Sequence, residues 1–273
     1  MHIGLLHPGE MGVTIAQALQ ASGHHVGWVS AGRSSQTRER AQGLSAYDSL
    51  AQMLQSVEAV ISVCPPSAAY AQAAAVAEEN FSGVYVDANA ISPTAARRIQ
   101  TLFADRFVDG GIIGPPAIKP GTTRMYLSGP RAAEVASWFG AGSLGVQAMS
   151  STGRCAASAL KMAYAAQTKG ASALLLAVNA LARQSGVQAE LWAEWGLSQP
   201  GLVERSEATA RGTSRKAWRF EGEMREIAQT FVEAGLPDGF HLGAADLYAR
   251  MSELKDLPPQ DLAAVLASIN KND

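Results

Sequence analysis

The sequence is short of cysteine and of charge of either sign. Cys64 and Cys155 are the two cysteines among 273 residues, too few for a disulfide framework, so we predict a reducing compartment and a cytoplasmic location. With 22 basic and 24 acidic residues the net charge is −2, which gives no support for nucleic-acid binding. The histidines and cysteines form no HExxH or CxxC motif, and no metal site is predicted.

Uninterrupted membrane-length apolar runs are absent as well. Residues 156–185 would be long enough to cross a bilayer, but Lys161, Gln167, Lys169 and Asn179 interrupt them. We therefore expect no membrane partner. A hydrophobic content of 47% is ample for a large core, and the length suits one large or two modest domains.

The same segment predicts one long central helix. It consists mostly of strong helix formers, Gly170 is its one interior flaw, and Gly186 is a plausible end. Because the segment is apolar on nearly every side, we expect a helix buried all round. Such a helix is too long for one small domain to cover. We predict that it joins domains at residues 1–150 and 151–273, and that a second chain packs on it in a homodimer.

The N-terminus has the order of elements typical of a dinucleotide-binding unit. Strands at residues 3–6 and 25–29 enclose a glycine turn and a helix. Gly9 would let the backbone approach a pyrophosphate, Gly12 would let helix and strand pack closely, and the helix N-terminus offers N–H groups to the anion. His7 stands where the first glycine of the motif belongs, so an ordinary tight turn is the alternative. The predicted cofactor contacts of this turn are His7, Pro8, Gly9, Glu10 and Met11.

The segment after the second strand predicts the kind of cofactor. Sites for NAD usually have an acidic residue there for the ribose 2′-hydroxyl, but here no carboxylate occurs before Glu39. Arg33 and the hydroxyls of Ser34 and Ser35 suit a 2′-phosphate, and the predicted cofactor contacts of this segment are Ser30, Arg33 and Ser34. We therefore predict NADP(H), with a solvated polar loop as the alternative.

Strands and helices continue to alternate, with further strands at residues 59–64 and 84–87 and another beginning at Phe107. This order predicts an α/β fold, a doubly wound, mostly parallel Rossmann sheet. Ligands of such sheets lie at the carboxyl ends of the strands. Beyond Gly186 the pattern predicts an all-helical domain. The segments expected to join the first turn around the cofactor contain Cys64, Pro65, Pro66 and Asn89.

Together these segments resemble the β-hydroxyacid dehydrogenase family, which includes 6-phosphogluconate dehydrogenase and 3-hydroxyisobutyrate dehydrogenase. Residues 3–12 resemble its opening motif, and residues 86–93 its segment beside the nicotinamide. Residues 108–114 resemble its substrate loop, D-x-P-V-S-G-G, of which the Asp and one Gly remain. Residues 153–161 resemble G-x-x-G-x-G-x-x-x-K, which implies that Lys161 is the catalytic lysine.

The resemblance also has gaps. The family has an asparagine three or four residues after the lysine, where this chain has Tyr164 and Ala165, and Gly222 replaces a second lysine. Cofactor features are mostly kept while substrate anchors are lost, so the chain resembles a divergent branch whose substrates are largely unassigned. The residues predicted to bind substrate are Gly114, Lys119, Lys161 and Thr168.

Lys161, Tyr164 and Thr168 share one face of the predicted helix. Burial disfavours an ammonium ion, so a lysine in an apolar cleft could exchange a proton near neutral pH. We predict Lys161, Tyr164 and Asn89 as catalytic residues. In the alternatives, Lys161 extends along the helix edge to solvent, Tyr164 packs at an interface, and Asn89 caps a helix or forms an Asx-turn.

Three functions stay open. The first is an NADP-dependent oxidoreductase that transfers a hydride between nicotinamide and a small hydroxy acid or related carbonyl, acting on CH–OH donors with Lys161 as general acid or base. The second is an imine reductase of similar architecture, which Tyr164 favours and the retained Lys161 disfavours. The third is a non-catalytic NADP-binding module.

Overall fold

The computed structural model describes residues 1–150, 153 and 155–270 of the chain. The chain divides into two compact units, of which the first is Met1–Met162 and the second begins at Ala163. The predicted domain boundary after residue 150 stays a prediction, because the next two residues lie outside the described part.

The first unit is built on one eight-stranded sheet in the order β3-β2-β1-β4-β5-β6-β7-β8. Neighbouring strands are parallel except β6 and β7. The strand order reverses between β1 and β4, which opens the crevice where ligands of such sheets bind. The prediction of a doubly wound, mostly parallel sheet is confirmed. The strands are β1 His2–Leu6, β2 His25–Val29, β3 Ser45–Tyr47, β4 Ala59–Ser62, β5 Val84–Asp87, β6 Phe107–Ile113, β7 Thr123–Ser128 and β8 Leu144–Ala148.

The central strands are buried on both faces, as parallel strands covered by helices must be. All four residues of β4, all four of β5 and all seven of β6 are buried. Their apolar side chains contribute to a hydrophobic cluster on each side of the sheet. The helices of this unit are α1 Glu10–Ala21, α2 Ser35–Arg40, α3 Leu50–Leu54, α4 Ala69–Glu78, α5 Pro93–Phe103, α6 Ala132–Ala136 and the start of α7 Ala156–Gln184.

Two sequence predictions need correction within the sheet. The segment that resembles a substrate loop is the buried strand β6 as far as Ile113, and the chain leaves the sheet only at Gly114. A Cβ on Gly111 would lie 2.5 Å from the carbonyl oxygen of Ala157, so the glycine in this strand permits close packing against α7. The strand predicted at residues 59–64 ends at Ser62.

The regular elements described in the second unit are all helices, which confirms the prediction for this half. Its buried side chains include Met224 and Ile227 of α10, Tyr248 of α11 and Leu266 of α12. None of the helices described in either unit is long and apolar enough to span a membrane. After α7, the helices are α8 Gln188–Ser198, α9 Leu202–Thr213, α10 Ala217–Glu233, α11 Gly239–Arg250 and α12 Leu262–Ile269.

Helix α7 is continuous, as predicted, but it is not buried all round within one chain. Leu174 and Leu181 are 51% and 65% exposed. These residues are seven positions apart and therefore lie on the same face of the helix. The prediction of complete burial is wrong for the single chain because the other helices of this unit leave this apolar stripe uncovered.

Candidate functional site

The turn between β1 and α1 has the geometry of an anion-binding turn. Gly9 is the N-cap of α1 and brings no side chain to the N–H groups of the first turn. The Gly9 N–H donates to the His7 carbonyl over 2.8 Å, which closes a tight turn. A Cβ on Gly12 would lie 2.4 Å from that same oxygen, so only glycine lets the helix start this close to the strand. Pro8 of this turn is buried, Glu10 is exposed and Met11 packs against the core of the sheet.

His7 occupies the place of the first motif glycine and adopts a left-handed backbone conformation, with φ of 66°. Its Nδ1 is buried and has no hydrogen-bond partner among the described residues. Burial, and then the charge of Arg33, lower the pKa of the imidazole. An unpaired polar atom in this turn is suited to a ligand that completes its hydrogen bonding.

The segment after β2 brings a cation toward this turn. Arg33 follows β2, and its charge lowers the pKa of the His7 imidazole and partly opposes the rise that burial causes in the pKa of Cys64. Ser34 is the N-cap of α2, and its Oγ accepts from the Thr37 N–H over 3.2 Å. The Ser30 N–H donates to the Tyr47 carbonyl. The Ser30 and Ser34 contacts to a cofactor stay predictions.

A network of hydrogen bonds joins the carboxyl ends of β4 and β5. The Cys64 N–H donates to Asn89 Oδ1 over 2.6 Å, and Asn89 Nδ2 donates to Ser62 Oγ and to Asp87 Oδ2 over 3.1 and 2.9 Å. The Asn89 N–H donates to Asp87 Oδ1. Two of the predicted cofactor segments therefore meet through the Asn89 amide. Pro65 and Pro66 continue from Cys64 into a short 3₁₀ turn.

This network limits what Asn89 can do. Both hydrogens of its amide are donated within the protein, and one lone pair of Oδ1 is used. Its catalytic and cofactor contacts stay predictions, and the alternative of a helix cap is wrong, since Ser92 is the N-cap of α5.

Burial changes the titration of this network. It is the main cause that raises the pKa of Asp87 to about 7, which the Asn89 hydrogen bonds oppose and the charge of Asp109 reinforces. Burial also raises the pKa of the Cys64 thiol to about 11, so the thiol stays neutral and is a poor nucleophile at physiological pH.

A second buried carboxylate lies on the next strand, where Asp109 of β6 is the register partner of Asp87. Asp109 Oδ2 accepts from Ser128 Oγ and from the Ser158 N–H over 2.8 and 2.9 Å, and Oδ1 accepts from Ser158 Oγ. Ser128 Oγ in turn accepts from the Ala157 N–H over 3.2 Å. Burial raises the pKa of Asp109, and these hydrogen bonds oppose the increase. Asp109 therefore holds the first turn of α7 on the sheet.

Lys161 follows one turn later. It is half-buried, and a Cβ on Gly111 of β6 would lie 3.3 Å from its Cβ. Further along α7, Tyr164 is 47% exposed. Thr168 donates its hydroxyl to the Tyr164 carbonyl over 3.1 Å. The hydrogen bond of Thr168 is internal to its helix, so its substrate contact stays a prediction, as do the roles of Lys161 and Tyr164.

The other predicted substrate residues lie between β6 and β7. Gly114 is exposed and adopts φ of 126°, and a Cβ there would lie 2.3 Å from the Thr122 carbonyl oxygen. Lys119 is exposed, and its carbonyl accepts from Thr122 Oγ1. Their substrate contacts stay predictions.

The sequence analysis missed the residues that hold this site together. The signal for them was available, because each is a polar side chain at the end of an apolar strand or at the start of an apolar helix. Buried polar groups in such places are hydrogen-bonded. Their partners were not predictable, since they lie far apart in the chain. These residues are Ser62, Asp87, Ser128 and Ser158, all of which are buried.

Comparison with known proteins gives two domain matches. The NAD binding domain of 6-phosphogluconate dehydrogenase matches residues 2–134, and a domain of unknown function, DUF1932, matches residues 182–251. No curated protein sequence matches the chain significantly.

Solved structures resemble the chain over nearly its whole length. A conserved protein of unknown function, described as structurally similar to 3-hydroxyacid dehydrogenases, is 26% identical with a TM-score of 0.68, over 93% of this chain and 99% of that one. The 3-hydroxyisobutyrate dehydrogenase of Mycobacterium tuberculosis is 17% identical with a TM-score of 0.71, over 99% of both chains. A reductive aminase from Aspergillus terreus is 17% identical with a TM-score of 0.53, over 97% and 98%. Residues 2–134 therefore belong to the family of the NAD binding domain of 6-phosphogluconate dehydrogenase, and residues 182–251 to the DUF1932 family.

Proposed function

We propose that the protein is an NADP-dependent oxidoreductase that acts on a small hydroxy acid or a related carbonyl compound. One observation carries the proposal. Three features lie along adjoining strands of one sheet. They are the glycine turn after β1, the Cys64–Asn89 hydrogen bond between β4 and β5, and the close approach of Lys161 to Gly111 of β6. Groups suited to a dinucleotide and a lysine suited to proton transfer thus belong to the same unit.

The turn and its neighbours fit a dinucleotide. Gly9 leaves the first-turn N–H groups of α1 to an anion, Gly12 lets the helix approach, and the unpaired Nδ1 of His7 can take a further hydrogen bond. Arg33 would bind the 2′-phosphate that distinguishes NADP from NAD. When bound, the nicotinamide supplies or accepts a hydride.

Lys161 would exchange a proton with the oxygen on the reacting carbon. Its half-buried position limits solvation, and its Cβ lies against a glycine-lined stretch of β6. Tyr164, one turn on, would donate a hydrogen bond to the reacting group, and Asn89 would keep the Cys64 segment in place.

The test is a substrate screen. The purified protein is mixed with NADPH or NADH and a panel of small keto acids, aldehydes and cyclic imines, and cofactor oxidation is followed by absorbance. We expect turnover of a keto acid or aldehyde with NADPH. Binding of NADPH without turnover of any panel member would favour a non-catalytic module, and absence of NADPH binding would reject the proposal.

An imine reductase is the second candidate, because Tyr164 is half-exposed near the place where the related dehydrogenases carry an asparagine. The same screen distinguishes the two. Turnover of cyclic imines without turnover of carbonyl acids would replace the first proposal by the second.

We also propose a homodimer through α7, in the cytoplasm. The exposed Leu174 and Leu181 form an apolar stripe that a second copy would cover, and both cysteines are free thiols. Light scattering at micromolar concentration should give twice the chain mass of 28.6 kDa. A monomeric mass would reject the dimer.

A further inference from the structure

The strongest unassigned feature of the first unit is a pair of buried carboxylates on adjacent strands. Asp87 and Asp109 are register partners and are 1% and 2% exposed. Their hydrogen bonds nevertheless run in different directions. Asp87 binds Asn89 and, through it, the Cys64 segment, whereas Asp109 binds Ser128 and the start of α7.

We infer that Asp109 is a positioning residue for Lys161. This inference rests on the proposed function, in which Lys161 transfers the proton. Asp109 and Gly111 are two residues apart in β6 and so face the same side of the strand. Asp109 holds Ser158, and Gly111 lets the Ala157 carbonyl and the Lys161 Cβ come close.

The geometry explains why Asp109 controls the position of Lys161. Ser158 and Lys161 are three positions apart in α7, so they lie one above the other on the same helix face. The carboxylate also accepts from Ser158 Oγ, and Ser128 Oγ ties the Ala157 N–H to the same cluster. Orphan N–H groups of a helix start are thus satisfied by groups fixed in the sheet. Loosening this attachment would let the Lys161 side chain move, and a displacement of about 1 Å can cost about a hundredfold in rate.

The experiment compares three variants. Asp109→Asn keeps the side-chain volume, and the hydroxyls of Ser128 and Ser158 can rotate to accept from the new amide, so the fold should survive. Asp109→Ala is the harsher variant, and Asp87→Asn is the matched control because it changes the neighbouring buried carboxylate, which serves the Cys64 segment. For each variant, kcat is expressed per cofactor-binding site, measured by NADPH fluorescence titration, so that unfolded protein does not count.

A second readout is independent of turnover. Trace acylation followed by peptide mass spectrometry gives the labelling rate of Lys161, with exposed Lys119 as the internal standard. We expect kcat per site to fall about tenfold in Asp109→Asn and about a hundredfold in Asp109→Ala, with KM and the dissociation constant for NADPH unchanged. Lys161 should be labelled at least about threefold faster in both, since a loosened helix start exposes it. Asp87→Asn should weaken NADPH binding and leave Lys161 labelling unchanged.

The outcomes separate this inference from the proposed function. The positioning role would be overturned if Asp109→Asn kept both the kcat per site and the Lys161 labelling rate of the wild type. Loss of NADPH affinity in Asp109→Asn as large as in Asp87→Asn would also overturn it, because the carboxylate would then act on the cofactor segment. If wild-type protein turns over no panel substrate, the proposed function fails, and the labelling rate alone decides whether Asp109 positions Lys161.

Discussion

The two units of the chain bury ionisable side chains in different ways. In the sheet unit, the carboxylates of Asp87 and Asp109 accept hydrogen bonds from amide and hydroxyl groups. In the helical unit, Lys169 of α7 forms an ion pair with Glu223 of α10, and both side chains are only 14% and 12% exposed. Neutral donors fix the direction of a carboxyl group and leave it able to titrate, whereas in an ion pair each charge is compensated by its partner.

The difference separates two uses of buried charge. The sheet carboxylates lie at strand ends and hold segments that would contact cofactor or carry Lys161, and burial raises the pKa of both. The helical pair lies against the Phe220 ring, and Tyr248 of α11 donates to the Lys169 carbonyl over 2.8 Å. We interpret the first arrangement as part of the site and the second as a support of the helical core. The following predictions test this interpretation.

The largest expected effect is on Lys161, the proposed proton-transfer group of the sheet unit. Lys161→Ala should lower kcat by about 10²–10⁴, the usual contribution of a positioned acid or base, while NADPH binding and the fold stay nearly intact. Lys161→Arg should not restore turnover, since a guanidinium does not release its proton in this pH range. Steady-state kinetics measures kcat, and NADPH titration measures cofactor binding, in each variant. A small effect at Lys161 with a large one in Tyr164→Phe would favour the imine-reductase reading.

The next effect concerns stability of the helical unit. Glu223→Ala leaves Lys169 buried without its partner and should lower the free energy of unfolding by about 3–5 kcal/mol. Glu221→Ala is the matched control two residues earlier in α10, where the pair with Arg225 is exposed and should contribute less than about 1 kcal/mol. Urea unfolding of both variants measures the difference. Equal losses would mean that the buried pair has no special structural role.

The raised pKa of Asp87 predicts a pH-dependent stability of the sheet unit. In the folded chain Asp87 keeps its proton to about pH 7, whereas in the unfolded chain it loses it near its ordinary value of 3.8. The folded state therefore binds more protons between these limits, and stability falls as pH rises from about 4 to about 7. From pH 5 to pH 8, the titration of Asp87 should lower the free energy of unfolding by about 2–3 kcal/mol. Asp87→Asn should remove it, so its urea midpoint should vary less with pH than that of the wild type; an unchanged pH dependence would contradict the assignment.

The smallest effect concerns the choice of cofactor. Arg33→Ala should remove most of the preference for NADPH over NADH, because a charge-assisted hydrogen bond contributes about 1.5–3 kcal/mol, or roughly tenfold to a hundredfold in affinity. Arg40→Ala is the matched control, because it removes the same charge at the end of α2 from a residue outside the predicted cofactor contacts. Dissociation constants for both cofactors test this in each variant. Equal affinities of the wild type for NADPH and NADH would contradict the predicted preference for NADPH.

Local pattern was enough to predict most regular elements. Strand β2 at His25–Val29 and strand β5 at Val84–Asp87 have the predicted bounds, and α7 was predicted to within a residue. Their apolar residues and helix formers are contiguous in the chain, so periodicity and propensity reveal them. The short elements β3, α3 and β8 were not predicted, because segments of three to five residues contain too few periods.

The sequence by itself determined the alternation of strands and helices, the glycine turn at Gly9 and Gly12, and the place of Lys161 on a long helix. Each of these depends on neighbours in the chain. Only the tertiary structure decided that Asn89 joins β4 to β5, and that Asp109 meets Ser128 and Ser158 at distances of 19 and 49 residues along the chain. Such contacts arise where buried polar groups must find partners on whichever strand or helix packs beside them, and strand order fixes those neighbours.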